Sequence, residues 1–388
     1  MTKKVSLWLG LLIGLSILIG ACTPNSVAPT EVSIETQVPT LAQTDSQPTP
    51  VEEEKPAPIT IEDAIGQSLS FDQAPQRVVQ AGRSGLMIID AAYAFPEARE
   101  RLIALSEITQ GKGNFGEVID PNFIEKTLIG RDTGVEPIVA MNPDVVIMKS
   151  FLSADFGKQL QDLGVPVVYL DLETPEQYQR DLSTLGQLFN NLERAEELKQ
   201  YYQLKTELVT SRTQDLTENQ KPKVLLLYYS AQDGQTALSV PPLKWIQTTL
   251  VQNAGGYPIW QDIELGNGWT KVNFEQIASW NPDQIFIIAY NVNVFEVTAQ
   301  LKEDPQWQAL RAVENNQLFA FPGDYYSWDQ PDTRWILGQL WLATKIQPDL
   351  FTDVEIMAET TNFFETLYGM DEATFAEKIT PILSGDLE

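Results

Sequence analysis

The sequence predicts an α/β architecture of two similarly built lobes joined by one long helix. Three observations carry that reading. Short β-rich apolar runs alternate with helical patterns from about Ile59 onward, as parallel sheets with helical crossovers require. Residues 175–219 are polar, yet Leu182, Leu185, Leu188, Leu192, Ala195, Leu198, Tyr202 and Leu208 recur at helical spacing, with no Pro or Gly after Gly186. On either side of that stretch a phrase repeats. Residues 136–147 read Glu-Pro-Ile-Val-Ala-Met-Asn-Pro-Asp-Val-Val-Ile, and residues 275–287 read Glu-Gln-Ile-Ala-Ser-Trp-Asn-Pro-Asp-Gln-Ile-Phe-Ile. Each copy reads as a short helix, a Pro-Asp turn and a buried strand.

The elements follow in chain order. Lys3 and Lys4 open residues 1–21, the apolar run 5–19 follows, and Gly20-Ala21 precedes Cys22. That order is expected of a signal peptide, and the run is short for a membrane span. Ile19-Gly20-Ala21-Cys22 resembles a bacterial lipobox, which implies cleavage before Cys22 and lipidation of its thiol. Residues 22–57 then form a flexible tether, rich in Pro, Thr, Ser, Gln and Glu and free of aromatics. Residues 58–172 form the first lobe, with strands expected at 77–80, 102–105, 145–148 and 167–170. Residues 173–219 are the connecting helix, and Pro222 marks its exit. Residues 220–350 form the second lobe, with strands at 224–229, 284–289 and 318–321. Residues 351–388, carrying Phe363, Phe364, Leu367, Tyr368 and Phe375, read as extra helices packed on the second lobe.

Composition excludes several chemistries. The 388 residues carry 53 acidic against 26 basic side chains, a formal charge of −27, which repels phosphate backbones and argues against nucleic-acid binding. There is no histidine, so Ser-His-Asp and Cys-His nucleophiles, HExxH zinc sites and histidine-held haem are ruled out. One cysteine permits no internal disulfide and no cysteine cluster. No stretch beyond the signal is apolar enough to span a bilayer.

Taken together, several phrases resemble the substrate-binding proteins of ABC importers for iron-siderophore, haem, cobalamin and some oxyanions. They are Arg77-Val78-Val79, Glu136 with Asn142-Pro143-Asp144, the linker helix, Asn253-Ala254-Gly255-Gly256, Glu275 with Asn281-Pro282-Asp283, and Trp341-Leu342-Ala343. The resemblance covers roughly residues 59–350. It implies two Rossmann-like lobes with central parallel sheets, one rigid connecting helix and a ligand cleft between the lobes. It also implies that Glu136 and Glu275 dock on arginines of the membrane subunits, as carboxylates do through bidentate bonds. The competing reading of both glutamates is a solvated first-turn residue favoured by the helix dipole.

Ligands of open α/β sheets sit beyond the carboxyl ends of the strands. By that rule the candidate ligand residues in the first lobe are Arg83, Ser84, Arg131 and Lys149. In the second they are Tyr229, Trp269, Tyr290, Tyr326, Trp328 and Arg334. Scarce cations beside flat aromatics point to an anionic or metal-chelate cargo. Trp341 fits core packing instead. The resemblance implies a non-enzymatic, monomeric, lipid-anchored receptor on the outer face of the membrane that delivers its cargo to an ABC permease. Family frequency, not any single residue, makes an iron chelate the expected cargo. No cofactor or directly held metal is expected. A corrinoid, molybdate or tungstate is the alternative cargo. A carbohydrate binder, or a glycosidase using Asp324, Asp329 or Asp332 beside Trp328, is the alternative class.

Overall fold

The computed structural model describes residues 58–387 except 233–234. The expected signal peptide, Cys22 and the tether lie outside the described residues. A small antiparallel hairpin of β1 (Ile59–Glu62) and β2 (Ser68–Phe71) precedes the first lobe. The first sheet then takes β3 (Val78–Gln80), β4 (Leu102–Ser106), β5 (Thr127–Ile129), β6 (Val145–Lys149) and β7 (Val167–Leu170). All are parallel, in the order β5-β4-β3-β6-β7. β6 and β7 are buried along their whole length, which is why they read as unbroken apolar runs rather than alternating ones.

The second sheet comprises β8 (Lys223–Gln232), β9 (Gln235–Val240), β10 (Tyr257–Pro258), β11 (Thr270–Val272), β12 (Gln284–Ile288) and β13 (Leu318–Ala320). Its main order is β11-β9-β8-β12-β13, with β10 beside the start of β8. The strands β8, β12 and β13 are parallel, while β9 and β11 add an antiparallel edge. All seven expected strands are present. The hairpin β8–β9 carries β8 three residues past its expected end, so Tyr229 lies within a strand, not at its tip.

The connecting segment needs a correction. Residues 173–219 form two long helices, Pro175–Phe189 and Leu192–Thr213, not one. Asn190 adopts a left-handed conformation (φ 52°) that ends the first helix, and the Asn191 side chain caps the second by accepting from Arg194 N–H. Asn tolerates left-handed backbone as most residues do not, and the apolar periodicity runs on across the break. The first helix packs on the first lobe, where Thr184 Oγ1 donates to the Glu62 carbonyl. The second helix, about 33 Å long at 1.5 Å per residue, joins the lobes. Arg194 near its start donates to the Ala94 carbonyl, and Thr213 at its end donates to that of Asn253.

The C-terminal segment is also not confined to the second lobe. The helix Ile356–Tyr368 reaches the first lobe: Arg99 donates to the Tyr368 carbonyl, and the rings of Phe364 and Tyr368 lie 5.6 and 4.8 Å from that of Phe115. The chain then returns to β13. Ser384 exchanges backbone hydrogen bonds with Gly323, and Asp386 pairs with Ala320. Aromatic residues at 363, 364 and 368 predict a packed helix without revealing which lobe they meet.

Candidate ligand cleft

The loops at the carboxyl ends of β3, β6, β7 and β12 meet in a cleft lined by both lobes. It holds three adjoining cavities of about 730, 350 and 510 Å³, and Gln330 lines all three.

The cavity of about 350 Å³ belongs mainly to the first lobe. It lies between the turn after β3, the segment after β4 and Arg131. Gly82 (φ 90°) and Ser84 (φ 60°) are both left-handed and fold the chain tightly before the helix Gly85–Tyr93. The turn leaves Arg83 exposed at the cavity edge, and Arg131 is exposed across from it. Neither guanidinium has a hydrogen bond or ion pair among the described residues. Two uncommitted cations at a concave site attract an anion.

The cavity of about 730 Å³ has one wall from each lobe. Lys149 lies beneath it, wholly buried, with its ammonium 2.5 Å from Glu173 Oε1 and bonded to the Asp171 carbonyl. The expected free cation is thus already neutralised, because burial of a charge demands a partner. Ser150 donates to the Asp171 carboxylate, which Arg180 also holds at 2.7 Å. Phe151, 60% exposed, projects from the first lobe toward the second. The facing wall is aromatic. The Trp269 and Tyr290 rings lie 4.9 and 4.7 Å from that of Tyr228, and Trp245 meets Trp269 edge-on at 5.6 Å.

Behind this wall, Asp329 is fully buried. Its Oδ2 accepts from Tyr290 Oη at 2.7 Å and from Gln247 Nε2 at 3.1 Å, and its Oδ1 accepts from Ser327 Oγ at 2.6 Å. Burial pushes the carboxyl up to about 6 despite these three donors. Burial and the neighbouring carboxylate hold the Tyr290 phenol well above its ordinary range, so it stays protonated.

Arg83, Ser84, Arg131, Trp269 and Tyr290 therefore line the cleft as expected. Tyr229 does not: successive strand residues face opposite sides, and Tyr228 takes the aromatic wall. Trp328 is fully buried, its indole N–H donating to Asp324 Oδ2 at 2.8 Å. Tyr326 borders the cavity of about 510 Å³, but its Oη donates to the Gly113 carbonyl and its ring packs 5.0 Å from Arg334. Arg334 is wholly buried, 2.5 Å from Asp90, 2.6 Å from Asp324 and 3.3 Å from Asp332, and lies over the Phe115 ring. It is a core cation, and no ligand reaches it. A motif dense in charge and aromatics looks the same in sequence whether it faces solvent or packs on itself. Phe151, Trp245, Gln247, Gln330 and Tyr228 were missed. Phe151 directly follows the flagged Lys149-Ser150 pair, and Tyr228 adjoins Tyr229, whereas Gln247 carries no sequence signal.

Glu136 and Glu275 are exposed, each in the first turn of a short helix, Val135–Ala140 and Phe274–Trp280. The repeated phrase also closes the same way twice. Asn142 (φ 49°) and Asn281 (φ 45°) end those helices in left-handed backbone. Asp144 then accepts from Arg77 N–H at 2.9 Å, and Asp283 from Lys223 N–H at 2.7 Å, tying each turn to the first residues of the neighbouring strand.

The chain is similar to known proteins over most of its length. The molybdate-binding protein MolA of Haemophilus influenzae is 21% identical over 259 residues, 61% of this chain and 70% of that protein. The ABC transporter substrate-binding lipoprotein YvrC of Bacillus subtilis is 21% identical over 359 residues, 91% of this chain and all of YvrC. Among solved structures, a periplasmic solute binding protein from Veillonella parvula superimposes with a TM-score of 0.66 at 21% identity. That match covers 84% of this chain and 98% of the other. Residues 121–325 match the family described as periplasmic binding protein. This two-lobed chain belongs to that family, the solute-binding proteins of ABC importers, which are not enzymes.

Proposed function

We propose that the protein is a lipid-anchored, extracytoplasmic receptor that captures an iron chelate of siderophore type and passes it to an ABC permease. The observation that carries the cargo is the pairing of two uncommitted guanidiniums, Arg83 and Arg131, with an aromatic wall of Trp245, Trp269 and Tyr290 across the cleft. Anionic chelates present both charge and flat apolar surface, which these groups recognise. A corrinoid is the second reading, favoured by the same wide aromatic cavity. Molybdate or tungstate would use the arginines and leave that cavity unfilled. The glycosidase reading loses its carboxylates: Asp324 and Asp332 are held by Arg334, and Asp329 by Tyr290 and Gln247. In this reading Cys22 carries the lipid, and Glu136 and Glu275 dock on the membrane subunits. The protein works as a monomer and holds no cofactor of its own. Its lobes close only modestly, because the helix Leu192–Thr213 resists a wide hinge.

The test is a tryptophan-fluorescence titration of residues 23–388 with ferric siderophores, haem, cobalamin, molybdate and tungstate. Tight, saturable quenching by a ferric siderophore supports the reading. Quenching by haem, cobalamin or an oxyanion alone replaces the cargo, and silence throughout contradicts it.

A further inference from the structure

The dipeptide Asn-Gly occurs once in the 388 residues, at Asn267-Gly268. It lies in the irregular loop before β11, just ahead of Trp269. Asn267 is exposed and lines the cavity of about 730 Å³. Thr270 Oγ1 ties the loop at both sides of this residue, accepting from Gly266 N–H at 3.1 Å and donating to the Gly268 carbonyl at 3.4 Å. Between those ties, neither the Asn267 amide nor the Gly268 N–H has a hydrogen bond among the described residues. A Cβ placed on Gly268 would meet no atom within 4 Å, so the position is open on its outer side. Glycine lets the backbone turn freely and leaves its nitrogen unhindered. A backbone nitrogen can therefore reach the side-chain amide that precedes it.

We infer that Asn267 is a site of spontaneous deamidation, which puts a carboxylate into the cleft. The Gly268 nitrogen gives up its proton and bonds to Asn267 Cγ. The Cγ–Nδ2 bond breaks, and the amide nitrogen leaves as ammonia with that proton. Water then opens the cyclic imide. Opening at Cγ gives aspartate. Opening at the Asn267 backbone carbonyl gives isoaspartate, which lengthens the main chain by one carbon next to Trp269. Water is the only co-reactant. Among the described residues, Lys244 is the one charged side chain that the second lobe contributes to this cavity. The new carboxylate cancels that wall's positive charge, so an anionic cargo is held less tightly. This consequence rests on the reading of the cleft as a site for an anionic chelate; the modification itself does not.

The experiment is peptide mapping of the soluble chain held for about two weeks at 37 °C and pH 8.5, beside a sample at pH 6. Trypsin cuts after Lys244 and Lys271, so one peptide carries both Asn267 and Asn253. Asn253 is the internal control, because Ala254 follows it and its amide donates to Gln339 Oε1 at 2.9 Å. The expected result is a mass gain of about 1 Da at residue 267 and none at 253. The gain is faster at the higher pH, since the attacking nitrogen must lose its proton, and Gly268→Ala slows it about tenfold. No gain at residue 267 overturns the inference, and so does a gain that Gly268→Ala leaves unchanged. The effect on the cleft is read by calorimetric titration of ferric enterobactin, an anionic tris-catecholate, into the parent and Asn267→Asp. Affinity falls by about a factor of three in the variant, and the difference shrinks in high salt. Equal affinity overturns the consequence for cargo. If ferric enterobactin does not bind the parent, the proposed cargo fails, and the mass gain alone decides the modification.

Discussion

The guanidinium of Arg334, in the second lobe, lies 2.5 Å from the carboxylate of Asp90, on the first-lobe helix Gly85–Tyr93, and both side chains are fully buried. This pair crosses between the lobes beneath the cleft. Asp324 and Asp332 complete the cluster, and Phe115 and Tyr326 cover it. Burial pushes Asp90 up to about 6 and Asp332 well above the carboxylate range, against the pull of the guanidinium they share.

Removing the shared cation leaves three buried carboxylates without their partner. Arg334→Met should therefore lower stability by about 3–5 kcal/mol, read as a fall in the urea midpoint. A change below about 0.5 kcal/mol, the size of an ordinary surface substitution, would mean that the cluster does not tie the lobes.

Asp329 gives a pH signature. Its carboxyl is raised from 3.8 to about 6, so the folded protein holds this proton more tightly than the unfolded chain does. The associated stability is present below about pH 4 and is lost as pH rises through about 6. Asp329→Asn should flatten the fall in stability between pH 4 and 6.5 relative to the parent. Superimposable profiles would remove Asp329 from the account.

The C-terminal segment bridges both lobes through Arg99, Phe115, Gly323 and Ala320. Ending the chain at residue 350 exposes Phe115 and removes the packing of Phe363, Phe364 and Tyr368. The loss should exceed the roughly 3–5 kcal/mol typical of one buried Phe→Ala change, leaving little folded protein at 37 °C by circular dichroism. A truncated chain with unaltered melting would show that the segment is an ornament.

Docking through the repeated glutamates predicts a clean separation of phenotypes. Reversing the charge at Glu136 and Glu275 together should abolish uptake in cells while leaving cargo affinity within about twofold, since both are exposed and outside the cleft cavities. Loss of affinity instead would assign these residues to the fold or the cleft.

Much of this was legible in the sequence. The buried strands were visible because a parallel sheet is apolar on both faces, and the Glu…Asn-Pro-Asp repeat marks two equivalent helix-turn-strand units. The break at Asn190 was hidden because leucine periodicity continues through it. Arg83 and Arg131 were found because they follow Gly82 and Gly130, where small-residue turns leave a side chain free. Arg334 and Trp328 were misread because local composition does not report burial, and the carboxylate that meets Arg334 comes from residue 90, 244 positions away. Gln247 was beyond reach, since a lone glutamine carries no sign in sequence of the cavity it lines.

The central claim is that an anionic chelate is held between the arginines of one lobe and the aromatic wall of the other. The most direct test is calorimetric titration of ferric siderophore into the soluble chain and into the Arg83→Ala/Arg131→Ala and Trp269→Ala variants. One-to-one binding weakened by roughly 1–3 kcal/mol per lost charged contact, and by about 1–3 kcal/mol for the lost aromatic area, is the predicted result. Binding that neither variant weakens would contradict it.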